Sequence, residues 1–330
     1  MIVAVTGGTG FVGANIVREL ALQGHRVLCM SRSDRTREPS LERFFAPIND
    51  RIVHVRADVT NYDSLMEMCL EFNPDHVVHA AAITPTLELE ISTPRTVVDV
   101  NAVGTLNVLE ASRQTHSIRR VLYISSGAVY GETDEKTFVT EDAPVATKDL
   151  YGLTKEIGER LCTYYRMKQQ LDVIAVRVGW VYGPMERPMT ASRQGMSLVY
   201  LIVNLAKVGE EVRLVHLDHV RDWIYAGDLA NGVVLLLDRS GLKHYVYNLS
   251  AGRGYAHREL IEELNGIIPV RYWQTSEREA NVPSSVTAKR RGPMSIERLE
   301  ADTGFRLNFG LHEGLRRYVE WVRNEASSEN

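Results

Sequence analysis

The sequence predicts an α/β protein built on a doubly wound parallel sheet, followed by a smaller α/β lobe. Three observations predict it. Short, fully apolar runs alternate with longer amphipathic ones through the first half of the chain, as in a parallel sheet covered on both faces. A glycine-rich turn joins the first apolar run to the first amphipathic one. Past Gly183 the rhythm changes to short mixed segments with long loops at 183–195 and 275–292.

The strands are predicted at 2–6, 27–30, 52–55, 76–80, 121–125 and 173–178, each a short, mainly apolar run. Helical spacing covers 11–23, ended by Gly24 as a C-cap, and 62–72, ended before Asn73-Pro74. A long helix is expected from near Pro94, a residue suited to a first helical turn, to Gln114. Another is expected at 151–169. Six strands of this kind make a dinucleotide-binding sheet of the Rossmann type. The expected division is residues 1–182 as the NAD(P)-binding unit and 183–330 as a substrate lobe that interleaves with it.

Composition narrows the function classes. The 330 residues are 44% hydrophobic and 24% charged, with 38 basic and 42 acidic side chains and a formal net charge of −4. That balance gives no electrostatic reason to expect nucleic acid. No apolar run approaches the ~20 residues of a membrane helix, and no signal peptide precedes the first strand, so a cytoplasmic protein is expected. Cys29, Cys69 and Cys162 are too scattered for a disulfide frame or a zinc site and read as buried thiols. His216 and His219 flank Asp218, but no third ligand accompanies them, so no metal is expected.

The turn reads Thr6-Gly7-Gly8-Thr9-Gly10-Phe11-Val12-Gly13. Glycines there allow a tight turn and close backbone approach to a pyrophosphate, which the helix N-terminus attracts. At the end of the second strand an acid would bind the ribose hydroxyls of NAD. Here Ser31 and Arg32 stand in that place, with Asp34, Arg35 and Arg37 beyond. A hydroxyl and guanidinium groups suit a 2′-phosphate, so NADP is favoured over NAD, with Asp34 keeping NAD open.

Tyr151 and Lys155 are four apart in a helical segment and share one face. A lysine charge lowers the pKa of a phenol, which then serves as acid/base while hydride moves to or from a nicotinamide. Ser125 and Ser126 end the fifth strand, at the sheet edge where open α/β sheets bind ligands. A serine there can orient a substrate oxygen for Tyr151.

These motifs, with Asp58-Val59, His79-Ala80-Ala81-Ala82, Asn101, Arg177, Tyr182-Gly183-Pro184 and Arg221-Asp222-Trp223, resemble the extended short-chain dehydrogenase/reductase superfamily in its NAD-dependent epimerase/dehydratase branch. The resemblance spans most of the chain. It implies Tyr151 as acid/base, Lys155 as its helper and Ser126 as the substrate hydrogen-bonder. It also implies that Asp58 and Val59 surround the adenine, that Ala80, Ala81 and Ala82 line the cofactor channel, and that Asn101 holds the helix and ribose region. Gly7, Gly10, Phe11, Val12, Gly13, Ser125 and Val178 complete the expected cofactor contacts.

Nucleotide-sugar members usually carry an asparagine three residues after the arginine of the sixth strand. This chain has Trp180 there, and it lacks their Gly-Asp-Gly turn before Arg221. A small sugar, sugar-acid or polyol dehydrogenase is therefore the expected activity, with a UDP-sugar 4-epimerase or dehydratase as the alternative. A catalytically silent NADP-sensing protein is the alternative of another class. Thr84, Trp180 and Arg221 are the candidate substrate contacts, Arg221 for a phosphate or carboxylate unless Asp222 or Asp228 pairs with it. Lys289-Arg290-Arg291 reads more readily as a surface charge run than as part of an anion site, and Glu88 and Glu90 as solvent-facing. Val97, Val100, Val108, Leu109, Ile157 and Leu161 supply apolar surface on the 94–114 and 151–169 helices that suits a homodimer.

Overall fold

The computed structural model describes residues 1–32, 38–187 and 197–327. The first half runs β1 (Ile2–Thr6), α1 (Phe11–Leu22), β2 (Arg26–Ser31), α2 (Pro39–Phe45), β3 (Ile52–Arg56), α3 (Tyr62–Phe72), β4 (His76–His79), α4 (Leu87–Ser92), α5 (Pro94–Val98), α6 (Gly104–Gln114), β5 (Arg120–Ser126), α7 (Leu150–Gln169) and β6 (Val173–Val178). The second half adds β7 (Trp180–Tyr182), α8 (Leu198–Lys207), β8 (Val212–Leu214), β9 (Val220–Arg221), β10 (Trp223–Tyr225), α9 (Ala226–Asp238), β11 (Val246–Leu249), β12 (Tyr255–Ala256), α10 (His257–Asn265), β13 (Tyr272–Gln274), α11 (Ser284–Thr287), α12 (Glu297–Thr303) and α13 (Gly310–Ser327).

All six predicted strands form, each within a residue of its expected ends. They join one parallel sheet in the order β11-β6-β5-β4-β1-β2-β3. Strand order reverses at β1, which pairs with β2 on one side and β4 on the other. The crevice beyond the carboxyl ends of β1 and β4 is where such sheets bind ligands.

The seventh strand, β11, comes from the second half and pairs with β6. Its four residues include Asn248, a buried amide in a short run. The amide is satisfied by partners far away in sequence: it donates to the Val139 and Ser295 carbonyls and accepts from the Tyr130 hydroxyl at 2.7 Å. Helix α9 likewise enters the first core, where Leu229, Val233 and Leu236 join Ala14 and Val17 of α1. A second core gathers Ile202, Trp223, Leu260, Leu264, Leu315 and Val319. Residues after 183 thus serve both cores.

The helix expected over 94–114 is present as α5 and α6 joined by one π-helical turn, Asp99–Val103. The three cysteines are buried, as expected. Burial pushes the Cys29 thiol up to about 12, so it is no nucleophile. No helix among the described residues is long and apolar enough to cross a membrane, and no group of them is arranged to hold a metal. Of the apolar residues expected to form a dimer surface, Val97, Val108 and Leu109 are instead packed in the cores. Val103, Leu106, Leu153, Tyr164 and Met167 are the exposed large apolar side chains between α5 and α6, on α6 and on α7.

Candidate active site

The glycine turn sits at the switch point. Gly7 has φ +65, a left-handed conformation that favours glycine. It lies so close to the chain leaving β4 that a Cβ would meet Ala81 Cα at 2.8 Å. A Cβ on Gly13 would meet the Gly7 carbonyl oxygen at 2.1 Å. The Gly10 amide donates to Gly7 O at 2.9 Å, and α1 then opens at Gly10 with no side-chain cap. The first-turn amides of a helix have no intrahelical partners, so this end presents donors and a positive dipole end to the crevice. Phe11 and Gly13 are buried beneath it, and Val12 is half-buried.

A chain of hydrogen bonds fixes the floor. The Ala81 amide donates to Thr6 Oγ1 at 3.1 Å, Thr6 Oγ1 lies 2.7 Å from His79 Nδ1, and His79 Nε2 lies 3.0 Å from Thr105 Oγ1. Thr105 itself donates to the Asn101 carbonyl at 2.6 Å. Thr105 must therefore accept from His79 Nε2–H, which leaves Nδ1 to accept from Thr6. His79 is a neutral imidazole, its pKa pushed down to about 3 by burial and then by the Lys155 charge.

Asn101, in the π turn, clamps the loop after β4. Its side-chain Oδ1 accepts from the Ile83 amide at 2.8 Å, and its Nδ2 donates to Ile83 O and Thr154 Oγ1. Ala80, Ala81, Ala82 and Thr84 of that loop are half-buried along the crevice. Ser31 ends β2 half-buried and Arg32 is exposed beyond it; Asp34, Arg35 and Arg37 lie outside the described residues. Asp58 Oδ1 accepts from the amide and hydroxyl of Thr60, and Val59 is buried beside Gly104.

Ser125 and Ser126 point different ways. Ser125 donates to Glu159 Oε1 at 2.6 Å in the interior, where Glu159 forms a two-pronged pair with Arg177. Its hydroxyl proton serves that buried network. Arg177 continues to Tyr130 at 2.9 Å, holding the turn that follows β5. Ser126 is half-buried at the strand end and accepts from the Ala128 amide at 3.1 Å, leaving its hydroxyl proton to donate. Val178 ends the neighbouring strand β6, buried beside it.

Tyr151 and Lys155 lie in the first turns of α7, capped by Asp149, which accepts from the Gly152 amide at 2.8 Å. Glu90 is half-buried and accepts from the Tyr151 amide at 3.1 Å, so it does not simply face solvent. The Lys155 ammonium donates to the Ile124 carbonyl at 2.8 Å and lies 5.8 Å from the centre of the Tyr151 ring. That bond ties the helix pair to the strand carrying Ser126. Burial lowers the Lys155 pKa to about 8, with the Glu159 charge opposing.

A second feature lies across the site. β7 pairs with β10 in register Trp180↔Trp223. The Arg221 guanidinium sits over the Trp180 ring, 3.9 Å from its centre, and that of Arg291 sits 5.4 Å from the same centre. Both arginines are buried. Arg221 does not pair with Asp222 or Asp228. Asp222 accepts from the Ala251 and Met294 amides, and Asp228 from the Asn308 and Phe309 amides. Burial and then the Arg291 charge lower Arg221 to about 9, and burial lowers Arg291 to about 10 with the Asp222 charge opposing. The guanidinium of Arg291 packs on Gly127, next to Ser126, where a Cβ would come within 2.6 Å of it. Two buried cations are thus held on an indole, beside the candidate serine.

Arg291 is the site residue that sequence reasoning left in a surface charge run. Lys289 does pair with Asp149 at the surface, and Arg290 is exposed. Arg291 differs because the Asp222 carboxylate draws the Met294 segment inward.

Comparisons agree with this geometry. A family model described as the NAD dependent epimerase/dehydratase family matches residues 3–250. The UDP-glucose 4-epimerase of Mycolicibacterium smegmatis is 29% identical over 331 residues, covering 98% of each chain. A dTDP-glucose 4,6-dehydratase of Streptomyces niveus is 27% identical, covering 98% of this chain and 93% of the dehydratase. The crystal structure of a Thermus thermophilus UDP-glucose 4-epimerase in complex with NAD superposes with a TM-score of 0.80 at 27% identity, covering 98% of this chain and 99% of that one.

Proposed function

The chain belongs to the NAD dependent epimerase/dehydratase family, and on that premise we propose that it oxidises a sugar hydroxyl of a nucleoside-diphosphate sugar and restores the reduced level before product leaves. The observation that carries this reading is the pair of buried guanidinium groups of Arg221 and Arg291 on Trp180. Two cations with no carboxylate bonded to them among the described residues suit a diphosphate, whose oxygens take charge-assisted hydrogen bonds from both. The names of the relatives support the same substrate class.

This reading replaces the small-sugar dehydrogenase expected from Trp180. That expectation assumed the indole removes a diphosphate contact; here it instead supports two groups able to make one. We take NAD rather than NADP, on the description of the family and the cofactor of the Thermus enzyme.

The residues fit a dinucleotide. Gly7, Gly10, Phe11, Val12 and Gly13 form the pyrophosphate cradle, whose close backbone approach a Cβ at Gly7 or Gly13 would disrupt. Ser31 and Arg32 face the adenosine ribose, Asp58 and Val59 flank the adenine, and Ala80, Ala81, Ala82 and Val178 line the channel. Asn101 holds that channel through Ile83. NAD, when bound, supplies a reversible hydride acceptor. Ser126 donates to the reacting oxygen and orients it. Tyr151 takes the hydroxyl proton as the carbonyl forms and gives it back on reduction. The charge of Lys155 favours the phenolate that this requires. Thr84 contacts the sugar.

Incubation with NAD and UDP-glucose, UDP-glucuronate or dTDP-glucose should give an inverted or dehydrated nucleotide sugar without net growth of nicotinamide absorbance. Steady cofactor reduction with free aldoses or uronic acids would restore the dehydrogenase. No turnover with any of them, alongside intact NAD binding, would favour the silent sensor.

The exposed Val103, Leu106, Leu153 and Tyr164 support a homodimer through α5–α6 and α7, since paired helices can bury them against a second copy. Sedimentation velocity at micromolar concentration should give a dimer; a monomer would end this assignment.

A further inference from the structure

Behind Arg221, three buried polar atoms on neighbouring side chains have no partner among the described residues: Arg221 Nε, Trp223 Nε1 and His257 Nε2. All three residues are almost wholly buried. The Arg221 guanidinium lies 6.0 Å from the centre of the Trp223 ring, and the Trp223 and His257 rings are 6.4 Å apart.

Their chemistry is complementary. Arg221 Nε and Trp223 Nε1 can only donate. His257 donates from Nδ1 to the His216 carbonyl at 2.6 Å, so its Nε2 is an acceptor in the neutral ring. Burial first, and then the Arg221 charge, push the His257 pKa down to about 3, which keeps that lone pair available. Two donors and one acceptor on neighbouring buried side chains match what one water offers, which accepts twice and donates once. Buried polar atoms are rarely left unpaired, so three together call for such an occupant.

We infer that Arg221, Trp223 and His257 form a buried water site, and that His257 acts through it as a positioning residue for the Arg221 guanidinium. Arg221 is held in front by the Trp180 ring and at one Nη by the Lys289 carbonyl at 3.2 Å. Neither engages the Nε end. The water supplies that third point and aims the free Nη edge at the substrate anion. The inference rests on the diphosphate reading of Arg221.

Calorimetric titration with UDP, set beside steady-state kinetics, tests both levels. Arg221→Met should weaken UDP binding strongly; if it does not, the diphosphate reading fails. Given that loss, His257→Leu should raise the Kd for UDP and the KM for the nucleotide sugar by about tenfold, the equivalent of one charge-assisted hydrogen bond, with kcat little changed. His257→Gln, which keeps an acceptor, should recover most of the affinity. Unchanged affinity in His257→Leu, or a loss that Gln does not relieve, would overturn the positioning role. A crystal structure should place one ordered water within hydrogen-bond reach of all three atoms, and its absence would overturn the site.

Discussion

Tyr151→Phe is expected to lower turnover by about 10³-fold, within the range for removing a positioned acid/base, while NAD binds as before. The substitution deletes one oxygen and leaves the ring. Lys155 keeps its bond to the Ile124 carbonyl, and the Asp149 cap and the Glu90 contact to the Tyr151 amide are backbone interactions that survive. The glycine turn is on another element altogether. The loss should therefore appear in kcat, with the Kd for NAD, read by quenching of protein fluorescence, unmoved. Turnover close to wild type would remove Tyr151 from the chemistry, and a parallel loss of NAD binding would mean the variant disturbs the fold.

The second large effect is expected at Gly13. An alanine there places its Cβ 2.1 Å from the Gly7 carbonyl oxygen and 2.8 Å from the Gly7 carbonyl carbon. Gly7 cannot retreat, because its other side already lies against the Ala81 backbone and its φ of +65 is fixed by the turn. The start of α1 must shift instead, which moves the amides proposed to hold the pyrophosphate. Overpacking of this kind costs about 3 kcal/mol, and NAD affinity should fall by about 100-fold as donor geometry is lost. Gly10→Ala is the milder companion, since its Cβ meets only the Gly7 oxygen, at 3.1 Å. Calorimetry with NAD and thermal melts on both variants check this. Wild-type NAD affinity in Gly13→Ala would reject the cradle.

The parts of the molecule that were legible in the sequence share a physical trait: their partners are near in sequence or are backbone. Most strands announced themselves because their residues are largely buried, so their runs are mainly apolar and β-branched. The glycine turn did so because close approach admits no side chain. Tyr151 and Lys155 did so because four residues on a helix return to one face.

What stayed hidden depends on distant pairings. Strand β11 carries Asn248, tolerable only because Val139, Ser295 and Tyr130 satisfy it. Ser125 and Ser126 are adjacent, yet the buried Glu159–Arg177 pair takes one and leaves the other. Arg291 is indistinguishable in sequence from Lys289 and Arg290. Only its position over an indole from β7 separates a buried cation from two surface ones. Trp180 misled for the same reason: an aromatic ring in place of an amide suggests lost recognition until the guanidinium it carries is seen.

The most direct test of the central claim follows the fate of one hydrogen. A nucleotide sugar that turns over, labelled with deuterium at the carbon whose hydroxyl is oxidised, should yield product that keeps the deuterium within the sugar. It would remain on the inverted carbon in an epimerisation, or move to the methyl two carbons away in a 4,6-dehydration, because hydride taken up in the site is returned before release. Deuterium leaving the sugar, on free reduced cofactor or in solvent, would contradict the account.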